Sequence, residues 1–300
     1  MNMWLLGAGY WGSKLAQSLT KLKVSPRVVD TKHGQTIDDI DIQDPVIIAT
    51  PLWQHYDQVM HLITRGHDVY VEKPAVETAV QAAEIQQMIQ PDQLFMVGHL
   101  FVHHPQMALI KNLLSSGAIG ELCHISSRRL NWGIYQTRTT PVLSLAAHDI
   151  TIVQELTTPQ LTVSRAHGWR LSAGDQYDRV QFSGHANDVS YDIDASWCWP
   201  NRTRETVLIG SRGQIIWDQD FNTVTLCHNQ VTDKKAVIGN SLVYEYDSDM
   251  SPVEHELKHW LDCVQSRSQP RTGVEQAYNA AVVIDQVHKV LENGVLANPI

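Results

Sequence analysis

The amino-acid sequence predicts an α/β protein whose first part is a doubly wound parallel sheet. Over residues 1–98, short apolar strands alternate with amphipathic helices, which is typical of a parallel sheet with helices on both faces. After Gly98 several strands follow one another. Apolar and polar residues alternate over Val189–Trp197, so this second sheet is expected to have one covered face.

Composition and charge limit the classes of function. The 300 residues are 43% hydrophobic and carry a net charge of −9. This acidity argues against a nucleic-acid partner, because such proteins usually present a basic face to phosphates. It is compatible with an anionic small ligand held by a local group of arginines.

Cysteine usage and hydropathy predict the compartment. The four cysteines form no C-x-x-C pair, which favours reduced thiols in a cytoplasm over a disulfide framework. The N-terminus has no basic stretch, and no apolar run reaches membrane length. We therefore expect a soluble, cytoplasmic protein with no membrane partner.

Short apolar runs and helical periodicity define the elements of the first part. The predicted strands are Met3–Leu6, the run RVVD ending in Asp30, Val46–Ala49, residues 68–71 and residues 94–98. The predicted helices are one after Gly12 with Leu15, Leu19 and Leu22 on one face, one over about His55–Arg65, and one over about Glu77–Ile89 with Val80, Ala83 and Met88 on its apolar side. A strand as uniformly apolar as Val46–Ala49 is expected to be covered on both faces.

The run GAGYWG joins the first strand to the first helix. Its Gly7, Gly9 and Gly12 have the spacing G-x-G-x-x-G. In that motif the first glycine permits the tight turn, the second lets the backbone approach a pyrophosphate, and the third lets helix and strand pack closely. The helix N-terminus adds free N–H groups and a positive dipole end.

An acidic residue ends the second predicted strand. Asp30 follows Gly12 by eighteen residues, where a carboxylate would accept hydrogen bonds from the adenosine ribose. Because the same carboxylate would repel a 2′-phosphate, NAD is favoured over NADP. Lys32 nearby moderates this preference.

The run EKP follows the strand at residues 68–71. Glu72 and Lys73 therefore lie at the carboxyl end of a buried strand, where open α/β sheets bind their ligands. Pro74 keeps Lys73 out of the helical region. A lysine in this position can polarise a hydroxyl or carbonyl oxygen, or hold a general base in its reactive form.

These motifs occur together in one order along the chain: GAGYWG, an apolar strand ending in ATP, EKP and a later HDI. This set resembles the Gfo/Idh/MocA family, named for glucose–fructose oxidoreductase and inositol dehydrogenase, over essentially the whole chain. The resemblance implies an N-terminal Rossmann domain (1–98) and a C-terminal α+β domain (99–300) with an open, mostly antiparallel sheet that serves for oligomerisation, so a homodimer or homotetramer is expected. It also implies hydride transfer between nicotinamide and a hydroxyl or keto carbon, commonly on a sugar, flanked by the EKP lysine and a later histidine.

The second half begins with an amphipathic helix after His103 and His104, with Leu109 and Leu113 facing inward. The adjacent histidines have no metal-ligand spacing around them, and we interpret them as structural or lining residues. Strands are predicted at 122–130, 161–169, 177–184, 189–199 and 204–218, and closing helices at about Val253–Gln265 and Val274–Leu291. Several of the nine tryptophans lie on these strands. They fit an oligomer interface as readily as a ligand wall, and we favour the interface.

The segment RRLNWGIYQTRTTPVLSLAAHDI resembles the branch of the family that acts on sugar nucleotides. Arg129, Asn131 and Gly133 match its RLNLG run, and His148 with Asp149 match the helix end. By this resemblance His148 lines the active site as proton donor or acceptor, and the near-neutral pKa typical of histidine suits proton exchange.

Ser144 departs from the family pattern. The family usually carries an aspartate four residues before the histidine, one helical turn away on the same face. A serine hydroxyl can hydrogen-bond a substrate but supplies no charge and no base near neutral pH. Arg138 and Thr140 also replace the usual Asp and Asn. Either the substrate differs, with Arg138 meeting an anionic group, or catalysis is weakened or lost; the intact cofactor motif and EKP favour the first.

The sequence thus predicts an NAD-dependent oxidoreductase, with Lys73 and His148 as catalytic residues and no metal. The substrate is expected to be a sugar, sugar acid or sugar nucleotide. The candidate cofactor contacts are Gly7, Gly9, Tyr10, Trp11, Gly12, Asp30, Thr50, Pro51, His55 and Glu72, and the candidate substrate contacts are Arg129, Asn131, Arg138, Ser144 and Asp149. The alternative is a regulatory protein of the same fold that binds NAD and a sugar without chemistry.

Overall fold

The computed structural model describes residues 2–29, 34–41, 44–133, 135–171, 176–232, 235–246 and 248–293. The chain divides into two compact units. The first comprises Met1–His103 and Asp249–Val282, and the second comprises His104–Ser248 and Val283–Ile300. The first unit therefore includes 249–282, which the sequence division at residue 98 leaves in the second domain. The division into domains 1–98 and 99–300 stays a prediction.

The first unit is built on a five-stranded parallel sheet. Its strands are β1 (Trp4–Leu6), β2 (Arg27–Val29), β3 (Val46–Ile48), β4 (Val69–Glu72) and β5 (Phe95–Gly98). They lie in the order β2-β1-β3-β4-β5, and each adjacent pair is parallel. The predicted doubly wound sheet is confirmed. The strand order reverses between β1 and β3, and ligands of such sheets bind outside the carboxyl ends of the strands at this reversal.

Helices cover both faces of this sheet. The helices of the chain are α1 (Tyr10–Lys21), α2 (His55–Thr64), α3 (Ala79–Met88), α4 (Pro105–Ser115), α5 (Ala147–Leu156), α6 (Pro252–Ser266) and α7 (Val274–Asn293). One face of the sheet packs on α2 and α3. The other packs Leu5, Tyr70 and Met96 against Leu15 of α1 and Trp260 of α6.

The predicted apolar face of α3 is wrong. Ala82 and Ile85 are its buried residues, whereas Val80 is 66% exposed and Met88 is also exposed. The reason is the start of the helix. Thr78 caps it by accepting a hydrogen bond from the Gln81 N–H, which fixes the rotation that turns 82 and 85 inward.

The buried face of α4 also differs from the prediction. Met107, Ile110 and Gln106 are buried, whereas Leu109 and Leu113 are half-buried. The Gln106 side chain accepts a hydrogen bond from the Trp217 indole at 2.8 Å and donates one to the Asn222 carbonyl at 2.6 Å. These two bonds hold a polar residue at a buried position, which hydrophobic periodicity does not reveal.

The second unit contains a large, mostly antiparallel sheet, as predicted. The strands of the second half are β6 (Leu122–Trp132), β7 (Thr162–Trp169), β8 (Arg179–Ala186), β9 (Val189–Ser196), β10 (Cys198–Gly210), β11 (Gln214–Asp218), β12 (Thr223–Cys227), β13 (Gln230–Thr232), β14 (Lys235–Val237) and β15 (Ser241–Glu245). Eight of them lie in the order β15-β12-β11-β10-β6-β9-β8-β7, with only β6 and β9 parallel, and β13 pairs with β14. The sequence did not indicate β12 to β15.

The tryptophans of this sheet fall into two groups. Trp217 is fully buried and Trp197 nearly so, whereas Trp132 is 75% exposed. The interface interpretation is therefore wrong for Trp217 and Trp197, which pack inside the unit. Among the described residues, each helix is too short or too polar to cross a membrane.

Candidate functional site

The turn from β1 into α1 is close-packed at two of its glycines. Gly7 has φ +95°, and a Cβ there would lie 2.8 Å from the Ala49 carbonyl oxygen. A Cβ on Gly12 would lie 2.0 Å from the Gly7 carbonyl oxygen. Both distances are too short for a side chain, so Gly7 serves the tight turn and Gly12 the close helix–strand packing, as the motif predicts.

Gly9 occupies a different environment, in which a Cβ would meet nothing within 4 Å. It caps α1 without a side-chain hydrogen bond, and the first turn carries no acidic residue. The first helical bond runs from Ser13 N–H to the Gly9 carbonyl, so α1 itself offers no acceptor to the N–H groups of Tyr10, Trp11 and Gly12. Open space, free N–H groups and a positive dipole end fit a pyrophosphate.

A lysine that sequence reasoning missed lies beside this turn. The Lys14 ammonium is 4.5 Å from the ring centroid of Tyr10 and 5.6 Å from that of Trp11. The feature of the sequence that could have identified Lys14 is its position in the first turn of α1, directly after G-x-G-x-x-G. The two aromatic rings hold a cation near the turn that fits a pyrophosphate.

Asp30 and Lys32 lie outside the described residues. The choice of NAD over NADP that rests on Asp30 stays a prediction.

The carboxyl end of β3 is fixed by His55. One ring nitrogen lies 2.8 Å from the Thr50 carbonyl oxygen and the other 3.0 Å from the Pro74 carbonyl oxygen, and the ring is buried. Burial lowers the pKa of His55, which the two backbone hydrogen bonds oppose. The ring thus connects Thr50 to the EKP turn, and its predicted contact with the cofactor stays a prediction.

Thr50 and Pro51 form the rest of this strand end. The Thr50 hydroxyl donates to Gln58 at 2.6 Å. Pro51 is exposed and precedes a short 3₁₀ turn, Leu52–Gln54. Both follow β3 directly, next to the reversal of strand order, and their cofactor contacts stay predictions.

Lys73 leaves β4 as a half-buried side chain next to buried Glu72. The Tyr70 hydroxyl donates to Glu72 at 3.2 Å. Burial raises the pKa of Glu72 to about 7, and the Lys73 charge opposes this rise. Glu72 is therefore held in the protein interior by Tyr70, and its predicted contact with the cofactor stays a prediction.

His99 belongs to the same strand ends and was missed by sequence reasoning. It directly follows β5 and is buried, and neither ring nitrogen has a hydrogen-bond partner among the described residues. Burial, together with the Lys73 charge, lowers the pKa of His99 to about 3. The available signal was its place after Gly98, at the same edge of the sheet as EKP.

The interpretation of His103 and His104 as structural residues fits their contacts. The His103 ring lies 4.8 Å from that of His259 and its Nε2 is 3.2 Å from the Thr272 hydroxyl. His104 caps α4 by accepting a hydrogen bond from the Gln106 N–H. In the described part of the chain, no cluster of three or more His, Cys, Asp or Glu side chains could hold a metal ion.

In the second unit, Arg129 and Asp149 bind each other. Arg129 Nε is 2.8 Å from Asp149 Oδ2 and its Nη2 is 3.0 Å from Oδ1, and both side chains are buried. Asp149 also accepts a hydrogen bond from Ser127, and Arg129 donates to Gln219. This buried ion pair joins β6 to α5, and the substrate contacts of Arg129 and Asp149 stay predictions.

His148 is the second residue of α5 and is half-buried. The turn before it, Val142–Ala146, is a π-helix, so Ser144 and His148 are not separated by the regular α-helical turn that the sequence suggested. π-turns within helices occur frequently at functional sites.

Ser144 is engaged by its neighbours. Its hydroxyl donates to the Thr140 carbonyl at 2.9 Å and accepts from the Trp197 indole at 3.2 Å. The hydroxyl thus binds Thr140 and Trp197 within the unit, and the substrate contact of Ser144 stays a prediction.

Asn131 and Arg138 remain candidates for substrate contact. Asn131 is half-buried near the end of β6, and a Cβ on Gly133 would lie 2.1 Å from its amide nitrogen, so the glycine makes room for this amide. Arg138 is exposed in the segment that precedes the π-turn.

Residues 27–99 match the family model described as "Oxidoreductase family, NAD-binding Rossmann fold". This region of the chain is similar to the Gfo/Idh/MocA oxidoreductase family. The predicted resemblance is confirmed there, and the matched region contains β2 to β5 with the EKP turn.

Curated relatives match part of the chain. A 2,7-anhydro-N-acetylneuraminate hydratase of Mediterraneibacter gnavus is 28% identical over 150 residues, and one of Escherichia coli K12 is 24% identical over 157 residues. The matches cover 43% and 46% of this chain and only 39% and 42% of the relatives.

Solved structures match the whole fold. A levoglucosan dehydrogenase in complex with NADH and levoglucosan has a TM-score of 0.81 at 15% identity, covering 98% of this chain and 97% of that one. UDP-N-acetylglucosamine 3-dehydrogenase from Acidithiobacillus ferrooxidans has a TM-score of 0.82 at 16% identity, covering 98% of each chain. At these identities the likeness shows a shared fold.

Proposed function

We propose that the protein is an NAD-dependent oxidoreductase that transfers a hydride between nicotinamide and a hydroxyl or keto carbon of a sugar, sugar acid or sugar nucleotide. The observation that carries the proposal is Lys73. It is a half-buried cation at the carboxyl end of β4, in the region that is similar to an NAD-binding oxidoreductase family. Burial lowers the pKa values of His55 and His99, and the Lys73 charge acts in the same direction. Burial raises the pKa of Glu72, and the Lys73 charge opposes that rise.

Each catalytic residue has a distinct role in the proposal. Lys73 polarises the oxygen of the reacting carbon, which stabilises negative charge as the C–H bond breaks. His148 takes the hydroxyl proton during oxidation and returns it during reduction. NAD, when bound, supplies the acceptor for the hydride.

The N-terminal turn supports the cofactor part of the proposal. The N–H groups after Gly9 would bind the pyrophosphate, with the Lys14 ammonium contributing charge near them. Preference for NAD over NADP is part of the proposal and depends on Asp30.

The substrate class is proposed from relatives and from charge. Structural neighbours carry levoglucosan or UDP-N-acetylglucosamine in their names, so a pyranose ring is the first expectation. Exposed Arg138 would meet a carboxylate or phosphate on that ring. The proposal includes a homodimer or homotetramer in the cytoplasm, and the four free cysteines are consistent with a reducing compartment.

The proposal is tested in two steps on purified, nucleotide-free protein. Titration with NADH and separately with NADPH, followed by nicotinamide fluorescence, is expected to show tighter binding of NADH. NAD⁺ reduction is then measured with levoglucosan, sugar acids and UDP-N-acetylglucosamine as probes. Saturable binding of NADH and sugar with no hydride transfer, also in Ser144→Asp, would support the non-catalytic alternative.

A second candidate is favoured by the curated relatives, two of which are named as hydratases of an anhydro sugar. Addition of water causes no net oxidation or reduction of the substrate. Any NAD that took part in this reaction would therefore be regenerated in each turnover. A product heavier by one water, formed with no net change in NADH absorbance, would identify this reaction. Accumulation of NADH together with a keto product identifies the dehydrogenase.

A further inference from the structure

The strand β5 lies at an edge of the first sheet, and Thr272 covers that edge. The Val97 N–H donates to the Thr272 carbonyl at 2.7 Å, and the Thr272 hydroxyl donates to the Val97 carbonyl at 2.7 Å. Thr272 is buried. One residue of the chain between α6 and α7 thus binds both backbone groups of Val97, which an uncovered edge strand would leave exposed.

His103 holds Thr272 in this position. It ends the short 3₁₀ turn after β5, Leu100–His103, and its Nε2 lies 3.2 Å from the Thr272 hydroxyl oxygen. A threonine hydroxyl has a single hydrogen, which here goes to the Val97 carbonyl. The hydroxyl oxygen therefore accepts a hydrogen bond, and His103 donates it from its Nε2–H.

His259 of α6 packs against His103, with ring centroids 4.8 Å apart and planes inclined by 34°. The Arg271 N–H donates to His259 Nε2 at 3.2 Å, and the Cys263 sulfur lies 3.5 Å from the same nitrogen. A ring nitrogen that accepts a backbone N–H carries no hydrogen, so His259 is neutral, with its hydrogen on Nδ1. A second proton, on Nε2, would remove the bond to the residue that precedes Thr272.

The surroundings of the two rings oppose their protonation. Burial lowers the pKa of His103 to about 2, and charge on His259 or Arg271 acts in the same direction. Charge on His99 does so as well. Burial also lowers the pKa of His259; the Arg271 charge adds to this effect and the Asp262 charge opposes it. Because Asp262 favours the charged form of His259, this ring takes up a proton before His103 does.

We propose that His103 and His259 form an acid-sensitive clasp that holds Thr272 against the edge strand β5. At neutral pH both rings are uncharged and the clasp is closed. An opened segment leaves His259 in water, where a histidine has a pKa of about 6.5. As the pH falls below that value, proton uptake therefore favours the open form, in which Arg271 and Thr272 have left their partners.

The clasp fixes the strand that lies beside the EKP turn. In the parallel register, Gly98 of β5 pairs with Glu72, the residue before Lys73, and Val97 directly precedes Gly98. Acid would thus loosen the edge of the sheet next to the proposed catalytic lysine. The clasp itself is a property of the fold and does not require the proposed function.

Nitrogen NMR of the histidine rings tests the closed form on the wild-type protein. At pH 7 we expect His259 to carry its hydrogen on Nδ1 and His103 to carry its hydrogen on Nε2, as their hydrogen bonds require. On acidification His259 should become doubly protonated before His103 does. A hydrogen on His259 Nε2 at pH 7, or protonation of His103 first, would overturn the proposal.

Hydrogen exchange at the Val97 amide tests the opening of the clasp. Corrected for the intrinsic effect of pH on exchange, the protection of this amide in the wild type should fall by about tenfold or more from pH 7 to pH 5. His259→Gln keeps an acceptor for the Arg271 N–H and cannot titrate, so the fall should be smaller by about tenfold. Protection that is the same at both pH values in the wild type contradicts the clasp.

Matched variants separate His259 from the other histidines. His185→Gln, at an exposed position, should lose protection at Val97 as the wild type does. His99→Leu removes the buried histidine that directly follows β5 and should still show a fall of about tenfold. A fall that persists in full in a folded His259→Gln, or that is lost in His99→Leu, would show that His259 does not open the clasp. If His259→Gln does not fold, the ring NMR of the wild type decides.

Discussion

The Arg129 guanidinium binds the Asp149 carboxylate through two parallel hydrogen bonds of 2.8 and 3.0 Å, in the interior of the second unit. This pair connects Asp149, the residue that follows His148, to the strand β6. The position of His148 at the start of α5 thus depends on an ion pair between two residues that sequence motifs assign to the substrate.

We expect Arg129→Met and Asp149→Asn each to lower the free energy of unfolding by about 3–5 kcal/mol, because each leaves a buried charge without its partner. Urea denaturation measures this. The control is Asp262→Asn, which breaks an exposed ion pair with Lys258 and should change stability by about 0.5 kcal/mol. Equal effects in buried and exposed variants would contradict a structural role for the Arg129 pair.

The two glycines of the N-terminal turn are expected to respond differently to alanine. Gly12→Ala would place a Cβ 2.0 Å from the Gly7 carbonyl oxygen and should lower both stability and NADH affinity. Gly9→Ala meets open space, so it should keep the wild-type melting temperature and lose NADH affinity by about tenfold or more, since the methyl group blocks the approach of a pyrophosphate. Fluorescence titration and thermal melting check both. Wild-type NADH affinity in Gly9→Ala would show that the pyrophosphate lies elsewhere.

Burial of neutral His99 should make the free energy of unfolding depend on pH. Its folded pKa is about 3, below the unfolded value of about 6.5, so the unfolded chain takes up a proton first as the pH falls. The stability that neutral His99 contributes is complete above about pH 6.5 and decreases below it, by about 2 kcal/mol at pH 5.

The measurement is urea denaturation of the wild type and His99→Leu at pH 7 and pH 5. The variant should lose less stability between the two pH values, by about 2 kcal/mol. His185→Gln, at an exposed histidine, serves as the control and should follow the wild type. A His99→Leu protein that is as acid-sensitive as the wild type would show that His99 is charged or exposed.

The bond between Ser144 and Trp197 predicts energetic coupling. Ser144→Ala leaves the buried indole N–H without its acceptor, and Trp197→Phe removes the donor. A double-mutant cycle should give a coupling energy of about 1 kcal/mol. Strict additivity of the two substitutions would mean that this hydrogen bond contributes nothing to stability.

Much of the first unit could be predicted from the sequence because its signals are local. Each strand is an apolar run, and the glycine turn carries its reason in three residues, Gly7, Gly9 and Gly12. The helix faces were less predictable. The Thr78–Gln81 cap rotates α3 away from Val80, and a capping bond is not visible to hydrophobic periodicity.

The candidate site was predicted less completely, because motifs identify residues and not their partners. His55 and Asp149 lie at motif positions, but their side chains have partners within the protein. His55 contacts two backbone carbonyls, and Asp149 accepts hydrogen bonds from Arg129.

Turnover of Lys73→Met is the measurement that tests the central claim most directly. With NAD⁺ and a sugar oxidised by the wild type, the account predicts that kcat falls by about a thousandfold or more, since the cation that stabilises the developing oxyanion is lost. The affinity for NADH should stay within about threefold of the wild-type value, because the turn proposed to bind the pyrophosphate precedes α1, whereas Lys73 follows β4. Wild-type turnover in Lys73→Met would contradict the role of this lysine and the function proposed from it.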